Sequence, residues 1–370
     1  MPKLELVIAD PAEVYLTSII NYLIKHHSDI FNISSFTEQY YLCNFLSDTK
    51  KRIDILLISP GLYSESIPKE KIGTIIFLND GRMPENLSTY PSINKYLRGD
   101  KLVKNVINIF SENNTDLNFV PSVSKSVKVI AFYSPIGGVG TTTISVGCSI
   151  QMARRGKKVF YLNLEDIQST PLFFNCESEK NFSDMIYFLK QNRKNLSLTI
   201  EGIRCVDNNY GIHYFSPPSS VIDLNELMPE ELEYLITQLK NTNQYDYIFL
   251  DMSSRLDKKN LMIMRTCDEI MIVATQYQIS LLKMKSFLKE LDILHERDLK
   301  DAPKRYHLLL NRYSSQMSQE IENMDLKNIN IIQKIPRINN LIIPGEKKFI
   351  LNMDNEFGFA ITEVISSFEK

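Results

Sequence analysis

Between Val127 and Arg155 the chain reads VKVIAFYS, then PIGGVG, then TTTISVGCSIQMARR. A short apolar run, a cluster of three glycines and an apolar pattern at helical spacing make a strand, a tight loop and a helix. Lys158–Leu164, KVFYLNL, is the next continuous apolar run. Two strands joined through one helix form a βαβ unit, so the strands run parallel in a sheet covered on both faces. Tyr247–Asp251 (YIFLD), Ile270–Ala274 (IMIVA), Leu308–Leu310 and Ile329–Ile332 supply further strands, and Glu230–Lys240 a helix. The region is therefore α/β.

The loop itself carries chemistry. Backbone N–H groups at a helix N-terminus bear partial positive charge and suit an anion. Gly137, Gly138 and Gly140 let the backbone approach phosphates without a Cβ in the way. Val139, Thr141 and Thr143 complete the cradle, and the Thr142 hydroxyl is placed to hold Mg²⁺. A phosphate-binding loop of the form GxxxxGK[ST] has lysine where Thr141 stands. Losing that charge-assisted contact costs about 1.5–3 kcal/mol of binding, roughly ten- to hundredfold. The loss weighs more on phosphoryl transfer, which depends on charge stabilisation in the transition state. ATP with Mg²⁺ is the expected ligand, and hydrolysis is expected to be weak or absent. Asp251, ending an apolar strand, is a candidate Mg²⁺ carboxylate acting directly or through water. Glu165, ending the strand after the loop helix, is the candidate catalytic carboxylate, and Asn311, after HLLL, a candidate adenine contact.

The preceding part of the chain has its own alternation. Leu4–Ala9, Ile53–Ile58 and Thr74–Leu78 read as strands, Val14–Ile24 and Asp100–Phe110 as helices. Residues 111–126, SENNTDLNFVPSVSKS, lose periodicity and read as a linker. The 370 residues thus divide into an N-terminal α/β domain over 1–110 and a C-terminal one over 127–370. A net charge of −2 and a pI near 6.3 argue against a dedicated nucleic-acid binder. Five scattered cysteines without C-x-x-C suggest a cytosolic protein with buried thiols. The start MPKLELVIAD lacks a signal-peptide pattern, and no apolar run is long enough to span a bilayer.

Together these residues resemble the MinD/ParA superfamily of deviant-Walker ATPases. That group's KGGVGKT aligns with Ile136-Gly-Gly-Val-Gly-Thr-Thr142, so both lysines are replaced, by Ile136 and Thr141. Its strand-end DxD matches Asn163-Leu-Glu165, its YDYIIID matches residues 245–251, and its LNR matches Leu310-Asn-Arg312. A stretch at 335–351, IPRINNLIIPGEKKFIL, is similar to another of its segments. The N-terminal domain resembles a response-regulator receiver, a flavodoxin-like doubly wound fold. Asp10 ends its first strand, Ser59 occupies the phosphoacceptor position, and Lys95 fits the lysine after strand five. With Ser59 there, phosphorylation is expected to fail.

An atypical receiver fused to a MinD-like domain resembles the TadZ/CpaE proteins of Tad (Flp, type IVb) pilus assembly. The resemblance implies a cytoplasmic homodimer that binds ATP and localises pilus machinery, at a cell pole or at the inner membrane through partners. Its implied partners are other pilus assembly and secretion proteins, with no specific nucleic acid and at most indirect membrane association. In the superfamily the signature lysine reaches the partner's nucleotide; Ile136 cannot, which favours a static dimer. Three other classes compete: a ParA- or MinD-type partitioning or positioning ATPase, a phosphorylated response regulator with an ATPase output, against which Ser59 argues, and an interaction protein without nucleotide.

Overall fold

The computed structural model describes residues 3–28, 30–49, 51–81, 83–113, 126–176, 178–191, 196–299, 306–326, 329–339, 341–344 and 349–369. The chain divides into two compact units: residues 1–122 with 192–203, and residues 123–191 with 204–370.

In the first unit, β1 (Leu4–Ala9), α1 (Glu13–His27), β2 (Phe31–Phe36), α2 (Gln39–Asp48), β3 (Ile53–Ile58), β4 (Ile72–Asn79), β5 (Ser92–Asn94) and α3 (Gly99–Asn113) follow one another. Their five strands are parallel, in the order β2-β1-β3-β4-β5. This is the flavodoxin-like doubly wound order. β1 and β3 are buried on both faces because residues alternate between two separate apolar layers. Leu4, Leu6 and Ile8 pack with Leu16, Ile19 and Leu23 of α1 and with Val106 and Phe110 of α3. Val7 and Ala9 face Leu42 and Leu46 of α2. Between β3 and β4, and between β4 and β5, the described structure holds only three-residue 3₁₀ turns.

The second unit begins with β6 (Lys128–Tyr133), α4 (Thr141–Arg154), β7 (Val159–Asn163), α5 (Thr170–Phe173) and α6 (Phe182–Lys190). After α7 (Leu196–Ile203) come β8 (Cys205–Val206), β9 (His213–Tyr214), α8 (Val221–Asn225), α9 (Pro229–Asn241), β10 (Tyr247–Asp251) and α10 (Lys258–Thr266). It closes with β11 (Glu269–Ala274), α11 (Gln278–Arg297), β12 (Tyr306–Tyr313), β13 (Asn330–Pro336), β14 (Ile342–Pro344), β15 (Phe349–Leu351) and α12 (Glu356–Phe368). The main sheet has the order β13-β12-β11-β6-β10-β7-β9-β8 and is parallel except for β8–β9. The central strands β6, β7, β10 and β11 are almost wholly buried, as their unbroken apolar sequences require.

Two boundaries differ from the sequence reading. α3 continues through Asn113, because Phe110 and Ser111 are still buried, so the first three residues of the expected linker are helical. Residues 114–125 of that linker lie outside the described residues. Residues 196–203, expected in the C-terminal domain, instead form α7 within the first unit, where Leu198 joins the core. Cys148, Cys205 and Cys267 are buried, Cys43 and Cys176 half-buried, and none of the five is in a disulfide. Among the described residues no helix is long and apolar enough to cross a membrane.

Candidate functional site

The glycine loop leaves the C-terminal end of β6, between β10 and β11. Ligands of parallel α/β sheets bind at such strand ends. Gly138 (φ +75°) and Gly140 (φ +95°) adopt the left-handed conformation that suits glycine. Gly140 is the N-cap of α4, and its carbonyl accepts the Ile144 N–H at 3.0 Å, so Thr141–Thr143 form the first helical turn. Above Gly137 and Gly138 a Cβ would meet open space, whereas at Gly140 it would lie 2.4 Å from Asn311 Nδ2. The loop is therefore open on one side and braced on the other.

Asn311 supplies the brace. Its Nδ2 donates to the Val139 carbonyl at 2.7 Å, and its Oδ1 accepts the Arg312 N–H at 2.9 Å. The side chain expected to reach a base is committed to the loop, because β12 ends beside it. Ile136, in the place of the superfamily's signature lysine, is buried, as is Val139.

The carboxylates converge on the same edge. β10 lies between β6 and β7, with Asp251 in register with Phe132 and Asn163. Thr142 Oγ1 donates to Glu165 Oε2 at 3.1 Å. Glu165 is held by its own N–H, which donates to Asn163 Oδ1 at 2.8 Å. Asn163 Nδ2 in turn donates to Thr170 Oγ1 at the start of α5. Asp251 is fully buried; Tyr161 Oη donates to its Oδ2 at 2.7 Å, while its Oδ1 has no partner. Burial, with the Glu165 charge second, pushes the Asp251 carboxyl up to about 7. Burial also raises the Glu165 carboxyl, opposed by hydrogen bonds from Thr142 and Asn163. Two desolvated carboxylates thus face a loop that brings no cation. Arg255, four residues past Asp251, pairs with Asp166 at 2.7 Å, one residue beyond Glu165.

Tyr161 is a part of the site that motif reading passed over, and Asn163 entered it only as the match to the first position of a strand-end DxD. Tyr161, Asn163 and Glu165 recur at every second residue, so they share one side of the strand as it runs out. That alternation was the available signal, hidden by the apolar run around it.

The donor set suits Mg²⁺, which takes one or two carboxylates plus phosphate oxygens. The Thr142 hydroxyl and the Glu165 and Asp251 carboxylates are hard oxygen donors, and the buried Asp251 Oδ1, without a hydrogen-bond partner in the protein, is suited to such a cation. Among the described residues no three His, Cys, Asp or Glu side chains gather to hold a metal unaided, so such an ion would depend on a bound phosphate.

Residues 127–302 match the AAA domain family. The septum site-determining protein MinD of Neisseria meningitidis is 26% identical over 233 residues, 62% of this chain and 82% of that protein. MinD of Escherichia coli K12 is 23% identical over 234 residues, with the same coverage. The C-terminal unit is similar in sequence to MinD proteins. Its fold is also that of the cell division ATPase MinD of Pyrococcus furiosus: TM-score 0.50 and 16% identity, covering 66% of this chain and 99% of that one. MinD of Pyrococcus horikoshii, solved with Mg-ADP, has TM-score 0.50 and 18% identity over 66% of this chain and 97% of its own.

A second cluster lies at the C-terminal edge of the first unit's sheet. Asp10, Ser59 and Lys95 follow β1, β3 and β5 and are brought together. Ser59 Oγ donates to Asp10 Oδ2 at 2.5 Å, Lys95 Nζ lies 3.3 Å from the same oxygen, and Ala12 N–H donates to Oδ1 at 2.8 Å. Asp10 is fully buried and the Lys95 side chain mostly so. The aspartate is thus saturated by the protein's own donors.

Proposed function

We propose that this protein is a nucleotide-binding positioning factor of MinD/ParA type that holds Mg·ATP and hydrolyses it slowly or not at all. One observation carries the reading: a complete glycine cradle, braced by Asn311 and faced by Glu165 and Asp251, carries no lysine. The backbone N–H groups and a phosphate-bound Mg²⁺ suffice for binding. Transition-state charge, however, goes without the cation that phosphoryl transfer relies on. Gly137–Thr143 are assigned as the phosphate cradle, Thr142 and Asp251 as the Mg²⁺ ligands, and Glu165 as the carboxylate facing attacking water. Asn311 is assigned as the brace of the loop.

Positioning follows by analogy with the septum site-determining relatives. Within that class we assign the protein to Tad pilus assembly, as a homodimeric scaffold working with other pilus assembly proteins. The two-unit plan supports this, with a flavodoxin-order N-terminal sheet and an occupied, serine-bearing cluster where a receiver would take phosphate. We take that unit to be an atypical receiver that localises the scaffold. Buried Ile136 supports a dimer that does not reach across with a lysine.

Turnover assays with single-cycle ATP, together with a deletion strain scored for Tad pili, test the two levels. The expected results are turnover near background and a strain without pili. Turnover at the rate of lysine-bearing relatives would overturn the first level, and normal piliation the second. A salt-dependent DNA shift would favour a partitioning role instead.

A further inference from the structure

We infer that a second copy of this chain docks head to tail through the second unit, the exposed stripe of α11 on one copy meeting the exposed α6–α8–α9 surface of the next. The inference does not rest on the nucleotide-binding reading. It also goes beyond the homodimer proposed above, because the two faces are unlike and their pairing leaves one of each free at the ends of an open row.

The α6–α8–α9 surface is apolar and acidic. Tyr187, Ile222 and Met228 are each more than half exposed. Ser183, Tyr187 and Lys190 lie at i, i+4 and i+7 on α6, one stripe of that helix. Ser183 donates to Asp223 of α8, and Lys190 to Glu226 just past it, so Tyr187 lies alongside α8. Ile222 adjoins Asp223, and Met228 is the N-cap of α9. Residues 221–239 hold Asp223, Glu226, Glu230, Glu231 and Glu233 and no lysine or arginine. Lys190 pairs with Glu226 at 2.9 Å and Arg265 of α10 with Glu233 at 3.7 Å, so the carboxylates outnumber these cations.

α11 has the opposite character. Ile279 and Leu282 are more than half exposed, with Lys283, Lys285 and Lys289 exposed beside them. Ile279, Leu282, Lys283, Ser286 and Lys289 follow helical spacing along one stripe, while Leu281, Met284, Leu288 and Leu291 are buried on the other. Residues 278–289 hold no carboxylate; acidic residues begin at Glu290. The two faces do not meet within one copy. β9, β10, β11 and β12 are parallel and follow one direction along the sheet, so right-handed crossovers set α9, α10 and α11 in that order on one side of it. α10, packed on α9, stands between. A two-fold pairing of like faces would set carboxylates against carboxylates or lysines against lysines. Pairing of unlike faces covers apolar with apolar and charge with opposite charge.

Sedimentation velocity of the whole, nucleotide-free chain over a concentration series tests the contact. The mean mass is expected to climb past that of two copies at low salt and to fall back as salt is raised. Lys283→Glu with Lys285→Glu reverses one face, and Glu226→Lys with Glu230→Lys the other. Each double variant alone is expected to stop at two copies or fewer. An equimolar mixture of the two is expected to grow again, because each then offers the charge its neighbour needs. Should a reversed pair fail to fold, Leu282→Ser, a single exposed change, is expected to show the same loss of growth. A wild type that stays at one or two copies at every concentration would overturn the proposal, even if a basic amphipathic peptide bound its acidic face. Growth insensitive to salt, or undiminished in variants with the wild-type circular dichroism, would overturn it too. So would folded reversal variants whose mixture stays small.

Discussion

The missing lysine is the residue on which the site turns. Thr141 starts α4 where a phosphate-facing cation would sit, and Glu165 and Asp251 are left to repel each other in a dry setting. Restoring the charge with Thr141→Lys should tighten ATP roughly ten- to hundredfold. It should also raise turnover, read by calorimetry and phosphate release; unchanged affinity would mean the loop does not face phosphate. Asp251 gives a pH signature in the metal- and nucleotide-free protein. Its folded-state value is about 7 against an ordinary 3.8. The native state therefore binds more protons between those values, and stability falls as pH rises from about 4 to about 7, by up to about 4 kcal/mol. Asp251→Asn should remove that slope in denaturant titrations. Tyr161→Phe should prolong the fall above pH 7, because the Tyr161 hydroxyl stabilises the ionised carboxylate.

At the scale of elements, legibility in the sequence followed burial pattern. β6, β7 and β10 are continuous apolar runs bounded by polar residues, and a parallel, doubly covered sheet demands that pattern. The loop between β6 and α4 was equally plain, because few contexts other than a close backbone approach call for three clustered glycines. α7 was not legible. LSLTIEGI alternates apolar and polar like a strand, yet it is a helix, since enclosure on all sides removes the solvent-facing stripe that marks helical period. The two-residue strands β8 and β9 carry too few residues for any period to show. The brace from Asn311 was also hidden, since a contact across 172 residues leaves no local signal. The Asp10–Ser59–Lys95 cluster makes its own prediction. Lys95→Met leaves a fully buried carboxylate without its countercharge and should cost about 3 kcal/mol in urea unfolding. The double variant Asp10→Asn with Lys95→Met should recover much of that loss.

For the whole molecule, the chain combines a flavodoxin-order sheet with a unit that has the fold of MinD, and the second half of the sequence supplies a helix to the first unit. The sequence showed two periodic regions with a polar stretch between them. It could not show that residues 196–203 belong to the earlier unit, because that pairing exists only in three dimensions. The proposed role of the chain is that of a nucleotide-loaded scaffold, and calorimetric titration of the stripped whole chain with Mg·ATP tests that role most directly. The expected result is saturable, roughly micromolar binding, abolished by Gly138→Val, which forces a branched side chain into the left-handed backbone at φ +75°. No heat of binding up to millimolar ATP, from protein shown to be folded, would contradict it.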